Sequence, residues 1–119
     1  MGNAASGANV DKARVVRVWR TKIDPARASE YDVFARTKSV PMFRAQPGFK
    51  GVFFASDGSH RAVVTLWRDR AAVEALARST TYHATVAEIE ATGFLSGESS
   101  VELYDIDQYT PGQPDTNEP

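Results

Sequence analysis

Trp67, Tyr82 and His83 are residues of this chain whose types and spacing suggest chemistry. They fall in one stretch, VTLWRDRAAVEALARSTTYHATV, residues 64 to 86, which reads as a strand running into a helix. An indole offers a flat apolar wall on which an aromatic ligand can stack, at little cost in side-chain freedom. A tyrosine brings an apolar ring with a polar tip. A neutral imidazole near pH 7 can take a proton from an acidic group such as a phenol. The same three residues also fit a plainer reading, two core aromatics beside a surface histidine. Helical geometry weighs between the two. Tyr82, Val86 and Ile89 define an inward stripe, and His83 lies three residues before Val86, about 60° off its direction. His83 therefore falls at the stripe's edge and is the candidate base. Trp67 and Tyr82 point inward.

Little else in the chain suggests chemistry. There is no cysteine, which excludes disulfides, thiolate metal sites and cysteine nucleophiles. His60 and His83 are the only histidines, so a multi-histidine metal site is not expected. Glu88, Glu90, Asp105 and Asp107 read as solvated faces or strand ends, with no pair spaced for acid-base work. The 14 basic side chains nearly balance the 15 acidic ones, net charge −1, so neither a nucleic-acid nor an anionic-membrane partner is expected. No apolar run is long enough to span a membrane, and the first residues lack the basic and apolar regions of a signal peptide. The expected location is cytoplasmic. MGNAAS fits the N-myristoylation pattern at Gly2, but so short and loose a pattern is expected to be a small-residue leader.

The elements that would position these residues can be read in order. With 119 residues the chain suggests one domain, a disordered leader over 1–12, a folded body over 13–109 and a disordered Pro-rich tail over 110–119. RVVRVWRTKI (14–23) is β-branched and aromatic, a strand. Asp24 and Pro25 then suit the N-cap and first turn of a helix. In that helix Tyr31, Phe34 and Ala35 share a face, and Pro41 should kink it. FKGVFFAS (49–56) and RAVVTLW (61–67) flank Asp57-Gly58, a hairpin signal. Arg68 to about Phe94 is helical, with Ser79-Thr80-Thr81 as its expected break and cap. SVELYDIDQY (100–109) is a final strand.

The order β-α-β-β-α-β folds most simply as a ferredoxin-like α+β domain, a four-stranded antiparallel sheet with both helices on one face. Both faces of that sheet are apolar. Val15, Trp19 and Ile23 lie on one side of the first strand, Val16 and Val18 on the other. Ala62, Val64 and Leu66 likewise oppose Val63 and Trp67, and Phe53 opposes Val52 and Phe54. The second face needs a cover, and the simplest is another copy of the chain, sheet against sheet. Arg17 and Arg20 leave opposite faces of the first strand. One facing the helices could meet an anionic substrate, but rim positions are expected for both.

PMFRAQPGFKG after the first helix, VTLWRD closing the third strand and TTYHATVAEIEATGFL in the second helical segment together resemble the antibiotic biosynthesis monooxygenase (ABM) domain family. The resemblance spans about residues 14 to 109 and rests on the Gln46-Pro47-Gly48-Phe49 turn, Trp67 with Arg68-Asp69, and Tyr82 with Val86. It implies a dimeric α+β barrel, a homodimer with one pocket per subunit between sheet and helices. Family members include cofactor-free oxygenases that turn phenols or anthrones into quinones, heme-degrading monooxygenases and small-molecule isomerases. For this chain the resemblance implies a small aromatic or polyketide-like ligand, with molecular oxygen as co-substrate and neither cofactor nor metal. Substrate contacts are expected from Trp67, Tyr82, Trp19, Tyr31, Phe34 and Met42, with His83 as base. A non-catalytic, ligand-binding or stress-associated dimer is the alternative. Heme degraders carry an asparagine, a tryptophan and a ligating histidine where this chain has Trp19, Leu76 and Val86. His83 is one turn early for the ligand, so heme is not expected. The isomerase histidine falls near Thr81.

Overall fold

A computed structural model describes residue 10 and residues 12–114. The MGNAAS leader and the last five residues lie outside the described residues, so neither the modification site nor the end of the tail is addressed by the structure.

The first strand, β1 (Val15–Lys22), runs through the centre of the sheet. Val15, Arg17 and Thr21 are buried, while Val16 and Val18 are half-buried and Arg20 is exposed. This alternation is what a strand covered on one face produces. Asp24 ends the run: its Oδ1 accepts from Ala26 N–H at 3.0 Å and opens a 3₁₀ turn, Pro25–Arg27. Helix α1 (Ala28–Phe34) follows. It widens into a π-helical stretch, Ala35–Ser39, and continues as α2 (Val40–Arg44). Pro41 explains the widening. It has no N–H to give the preceding turn, and just ahead of it Val40 N–H donates to Ala35 O, five residues back. The kink expected at Pro41 is thus absorbed as a π-bulge.

Gly48 has φ +81°, and a Cβ there would stand 2.6 Å from the Ala72 Cβ. Only glycine turns the chain here without displacing the next helix. β2 (Phe49–Asp57) and β3 (His60–Trp67) form a hairpin whose turn is Gly58-Ser59, with φ +60° at Gly58. A register shift between Phe49 and Gly51 lets both Phe49 and Val52 pack on the helix side.

The segment after β3 divides at the polar triplet, as its composition suggests. Asp69 Oδ1 caps α3 (Arg70–Ala77) by accepting from Ala72 N–H at 2.9 Å. The amide bond and the neighbouring Arg68 hold the Asp69 carboxyl below its usual pKa. Ser79 Oγ caps α4 (Thr80–Ala91), accepting from Tyr82 N–H at 3.2 Å. The final strand, β4 (Ser100–Asp105), is shorter than the 100–109 expected. Beyond it Ile106 N–H still reaches Arg14 O at 2.8 Å, but residues 106–114 carry no regular structure.

The strands pair antiparallel in the order β2-β3-β1-β4. The helices pack on the face bearing Val15, Val63 and Trp67, through Met42, Phe43, Val73 and Leu76. This is the ferredoxin-like α+β fold. On the other face Phe53 is 58% and Tyr104 52% exposed. Among the described residues no helix is long and apolar enough to cross a membrane.

Candidate ligand cavity between two apolar clusters

The apolar interior is divided. One cluster gathers Val15, Met42, Phe43, Val63, Trp67, Val73 and Leu76. The other gathers Ile23, Tyr31, Phe34, Ile89 and Phe94. Trp19 is half-buried and packs against both. Along the seam lies a cavity of about 50 Å³. Its floor is the inner face of the sheet, at Arg17, Trp19, Phe54 and Val63. The π-bulged helix supplies Tyr31, Phe34, Ala35, Ser39, Met42 and Phe43, and α4 supplies Tyr82, Thr85, Val86 and Ile89.

Cross-strand register builds the floor. Arg17 stands opposite Thr65 and Trp19 opposite Val63, all on the helix side. Parity therefore carries Arg17 inward, and it is only 7% exposed. Its Nη2 donates to Tyr82 Oη at 2.7 Å, with the guanidinium carbon 5.3 Å from the Tyr82 ring centroid. The rim position expected for Arg17 is corrected by this burial. Arg20 does lie at the surface, paired with Glu102 at 2.9 Å.

Tyr82 is held from two sides. Ser79 fixes its backbone as the cap of α4. Gln46, buried at the end of α2, donates through Nε2 to Met42 O (3.2 Å), Ser79 Oγ (3.2 Å) and Thr81 Oγ1 (3.1 Å). One amide thus joins the bulged helix to the start of α4, and the cavity lies between those two elements. Tyr31 closes the far end, edge-on to Phe94 at 6.0 Å. Burial pushes its phenol up to about 12, although the Arg61 guanidinium, 5.6 Å from its ring, opposes the shift. Tyr31 is a neutral hydrogen-bonding group at any physiological pH.

Trp19, Tyr31, Phe34, Met42 and Tyr82 line this cavity; Trp67 and His83 do not. Trp67 is fully buried. It sits edge-on to Phe43 and Phe49, at 6.4 and 5.6 Å, and donates Nε1–H to Thr65 Oγ1 at 2.8 Å. Phe43 and Phe49 stack on each other above it. His83 is exposed, and its Nε2 lies 2.6 Å from Ala77 O at the end of α3. One position beyond Tyr82, it is turned about 100° around the helix. The cavity lining has no carboxylate or imidazole among the described residues. They also contain no group of three or more residues arranged to hold a metal ion. The cavity is apolar with one cation, two phenols and two small hydroxyls. This lining suits contact with a flat, oxygen-bearing molecule, while the volume of about 50 Å³ is far below the roughly 300–1,000 Å³ usual for small-molecule sites. Beyond the contacts expected from the sequence, the lining includes Arg17, Ala35, Ser39, Phe43, Phe54, Val63, Thr85, Val86 and Ile89. The i, i+2 parity of Arg17 with Val15 and Trp19 was the signal available.

The sequence matches no family model and no curated protein. The fold, however, has clear counterparts: the chain has the fold of the antibiotic biosynthesis monooxygenases. Among them is the ActVA-Orf6 monooxygenase of Streptomyces coelicolor, solved with nanaomycin D, with a TM-score of 0.71 and 17% identity. That match covers 88% of this chain and 97% of the other. SnoaB of Streptomyces nogalater, a cofactor-independent oxygenase, superposes with a TM-score of 0.67 at 22% identity, over 84% of this chain and 99% of its own. The NE2512 protein of Nitrosomonas europaea, of unknown function, gives 0.69 at 17% identity over 87% and 98%.

Proposed function

We propose that the protein is a cytoplasmic, homodimeric monooxygenase that oxidises a small aromatic or polyketide-like phenol to a quinone, using molecular oxygen and no cofactor. The observation that carries this reading is the seam cavity, walled by Trp19, Tyr31, Phe34, Met42 and Tyr82 on a fold shared with cofactor-independent oxygenases. Aromatic walls would hold a flat ring system, and the Tyr82 hydroxyl beside Arg17 would orient its oxygen.

The chemistry balances without a cofactor. An anthrone-type substrate loses a proton and places negative charge on its reacting carbon. That carbon passes electrons to O₂ and forms a C–O bond, giving a hydroperoxide after proton uptake. Loss of water leaves a carbonyl. One atom of O₂ ends in the quinone, the other in water. The lining has no carboxylate or imidazole among the described residues, so the first proton would leave to base from solvent. His83, the base expected from the sequence, would act only if the N-terminal turn of α4 rearranged. Trp67 would support the cavity from the side, through Phe43, rather than touch substrate.

Homodimerisation would cover the outer sheet face, where Phe53 and Tyr104 are more than half exposed. Sedimentation at micromolar concentration should give twice the chain mass; a monomer would remove this part. The activity is tested by incubating metal-free protein with anthrone under ¹⁸O₂. The expected product is a quinone carrying one labelled oxygen, formed faster than in the protein-free blank. Equal rates would end the oxygenase reading.

The exposure of His83 favours a second reading, a ligand-binding dimer without turnover. Saturable anthrone binding with no quinone above the blank selects it.

A further inference from the structure

We infer that Arg17 and Tyr82 form an anion subsite, and that the ligand of this cavity carries an anionic oxygen, a carboxylate or an ionised phenol, on its aromatic frame. The inference rests on the cavity being a ligand site, and it adds the charge that the ligand must bring.

Arg17 is more than nine-tenths buried and has no acidic partner among the described residues. None of the ion pairs among the described residues includes it; they join exposed groups such as Arg20 with Glu102 and Arg70 with Asp105. No aspartate or glutamate lines the cavity. The two neighbours of Arg17 across the sheet are Thr65 and Leu103, both neutral. Its one side-chain hydrogen bond goes to a neutral phenol, Tyr82 Oη, at 2.7 Å. A guanidinium carries five N–H donors and stays charged at all relevant pH, so most of its donor capacity is unspent here. Buried charges are ordinarily paired, because the interior does not replace the water they lose. Among the described residues no buried side-chain nitrogen or oxygen lacks a partner, so the unbonded Arg17 donors open onto the cavity, where an incoming anion can meet them.

The geometry offers more than a charge. Tyr82 Oη accepts from Arg17, which leaves its own hydrogen free to donate. The guanidinium and that hydroxyl can then donate to one incoming oxyanion, with charge-assisted strength. The subsite also lies on a built scaffold: Arg17 is fixed by central strand β1, and Tyr82 by the Ser79 cap and Gln46. An arginine needed only for solubility would sit on the outer face, as Arg20 does.

Matched pairs of probes test this by calorimetry. 2-Naphthoate is compared with methyl 2-naphthoate for a carboxylate, and 2,4-dinitro-1-naphtholate with its methyl ether for a phenolate. In the wild-type chain the charged member of at least one pair should bind about tenfold tighter than its neutral partner, and the pair that discriminates identifies the source. In Arg17→Met, folded as judged by circular dichroism, the preference should vanish while the neutral probe still binds. Should that variant fail to fold, a wild-type crystal soaked with the tighter anion decides, and its oxygen atoms should lie within hydrogen-bonding distance of the Arg17 guanidinium. Binding of all probes with no charge preference, a preference that survives Arg17→Met, or an anion seated elsewhere each overturns the subsite while leaving the oxygenase reading standing. Failure of all four probes to bind overturns both.

Discussion

The two tryptophans face the same side of the sheet, yet they occupy opposite kinds of environment. Trp67 is fully buried, its indole N–H bonded to Thr65, with Phe43 and Phe49 against its ring and Val73 and Leu76 in the same cluster. Trp19, four residues along β1 from the residue that pairs with Trp67, is half-buried and borders the cavity. The difference lies above the sheet. Over Trp67 the end of the bulged helix and α3 close down, helped by Gly48, which lets α3 approach its backbone. Over Trp19 the π-bulge and α4 stand apart, and the gap is lined by Arg17, Ser39, Tyr82 and Thr85 as well as by apolar side chains. One region is built for stability and the other for access.

The largest expected effect should come from the closed region. Trp67→Ala removes a fully buried indole and should cost about 3–5 kcal/mol, measured by denaturant unfolding. A loss below about 1 kcal/mol would mean that this cluster is not the main core. The next test uses Tyr31. Its folded-state pKa is raised from 10.0 to about 12, so the fold prefers the neutral phenol. That contribution is full below pH 10 and is lost as the pH rises towards 12. It should total about 2–3 kcal/mol. Melting curves between pH 9 and 12, of wild type against Tyr31→Phe, should diverge only at the alkaline end; parallel curves would show that Tyr31 is solvated.

Gly48→Ala comes next, with a cost of about 1–3 kcal/mol because φ is positive and the new Cβ meets Ala72. A double variant with Ala72→Gly should recover only the steric part. Trp19→Ala should have the smallest effect on stability, roughly 1–2 kcal/mol for a half-buried ring. It should nevertheless weaken ligand binding more than any change in the closed region that leaves the fold intact.

Much of this architecture was legible in the sequence. The element order, the cap at Asp24 and a break capped by one hydroxyl of Ser79-Thr80-Thr81 follow from local rules, and local rules act within a few residues. Strand parity also placed Trp19 and Trp67 on one face. What it could not decide is which of them is sealed, because that depends on how two helices close over the sheet. Trp67 looked like the pocket wall because it ends the strand that leads towards Tyr82 and the family resemblance puts a tryptophan there, whereas register brings Trp19 and Arg17 to the cavity. Arg17 looked like a rim residue because lone charges usually are. His83 lay at the edge of a stripe, where a rotation of one residue decides between cavity and solvent. It bonds the Ala77 carbonyl, an acceptor that appears only once α3 ends.

The most direct test of the division follows from there being two tryptophans. Their indole N–H signals give two resolvable peaks in a ¹H–¹⁵N correlation spectrum, assigned with Trp19→Phe. During titration with a flat aromatic ligand such as 2-naphthoate, the Trp19 peak should move progressively to saturation while the Trp67 peak, tied to Thr65, stays in place. A Trp67 peak that moves while that of Trp19 does not would contradict the placement of the site, and two unmoved peaks at saturating ligand would contradict the cavity altogether.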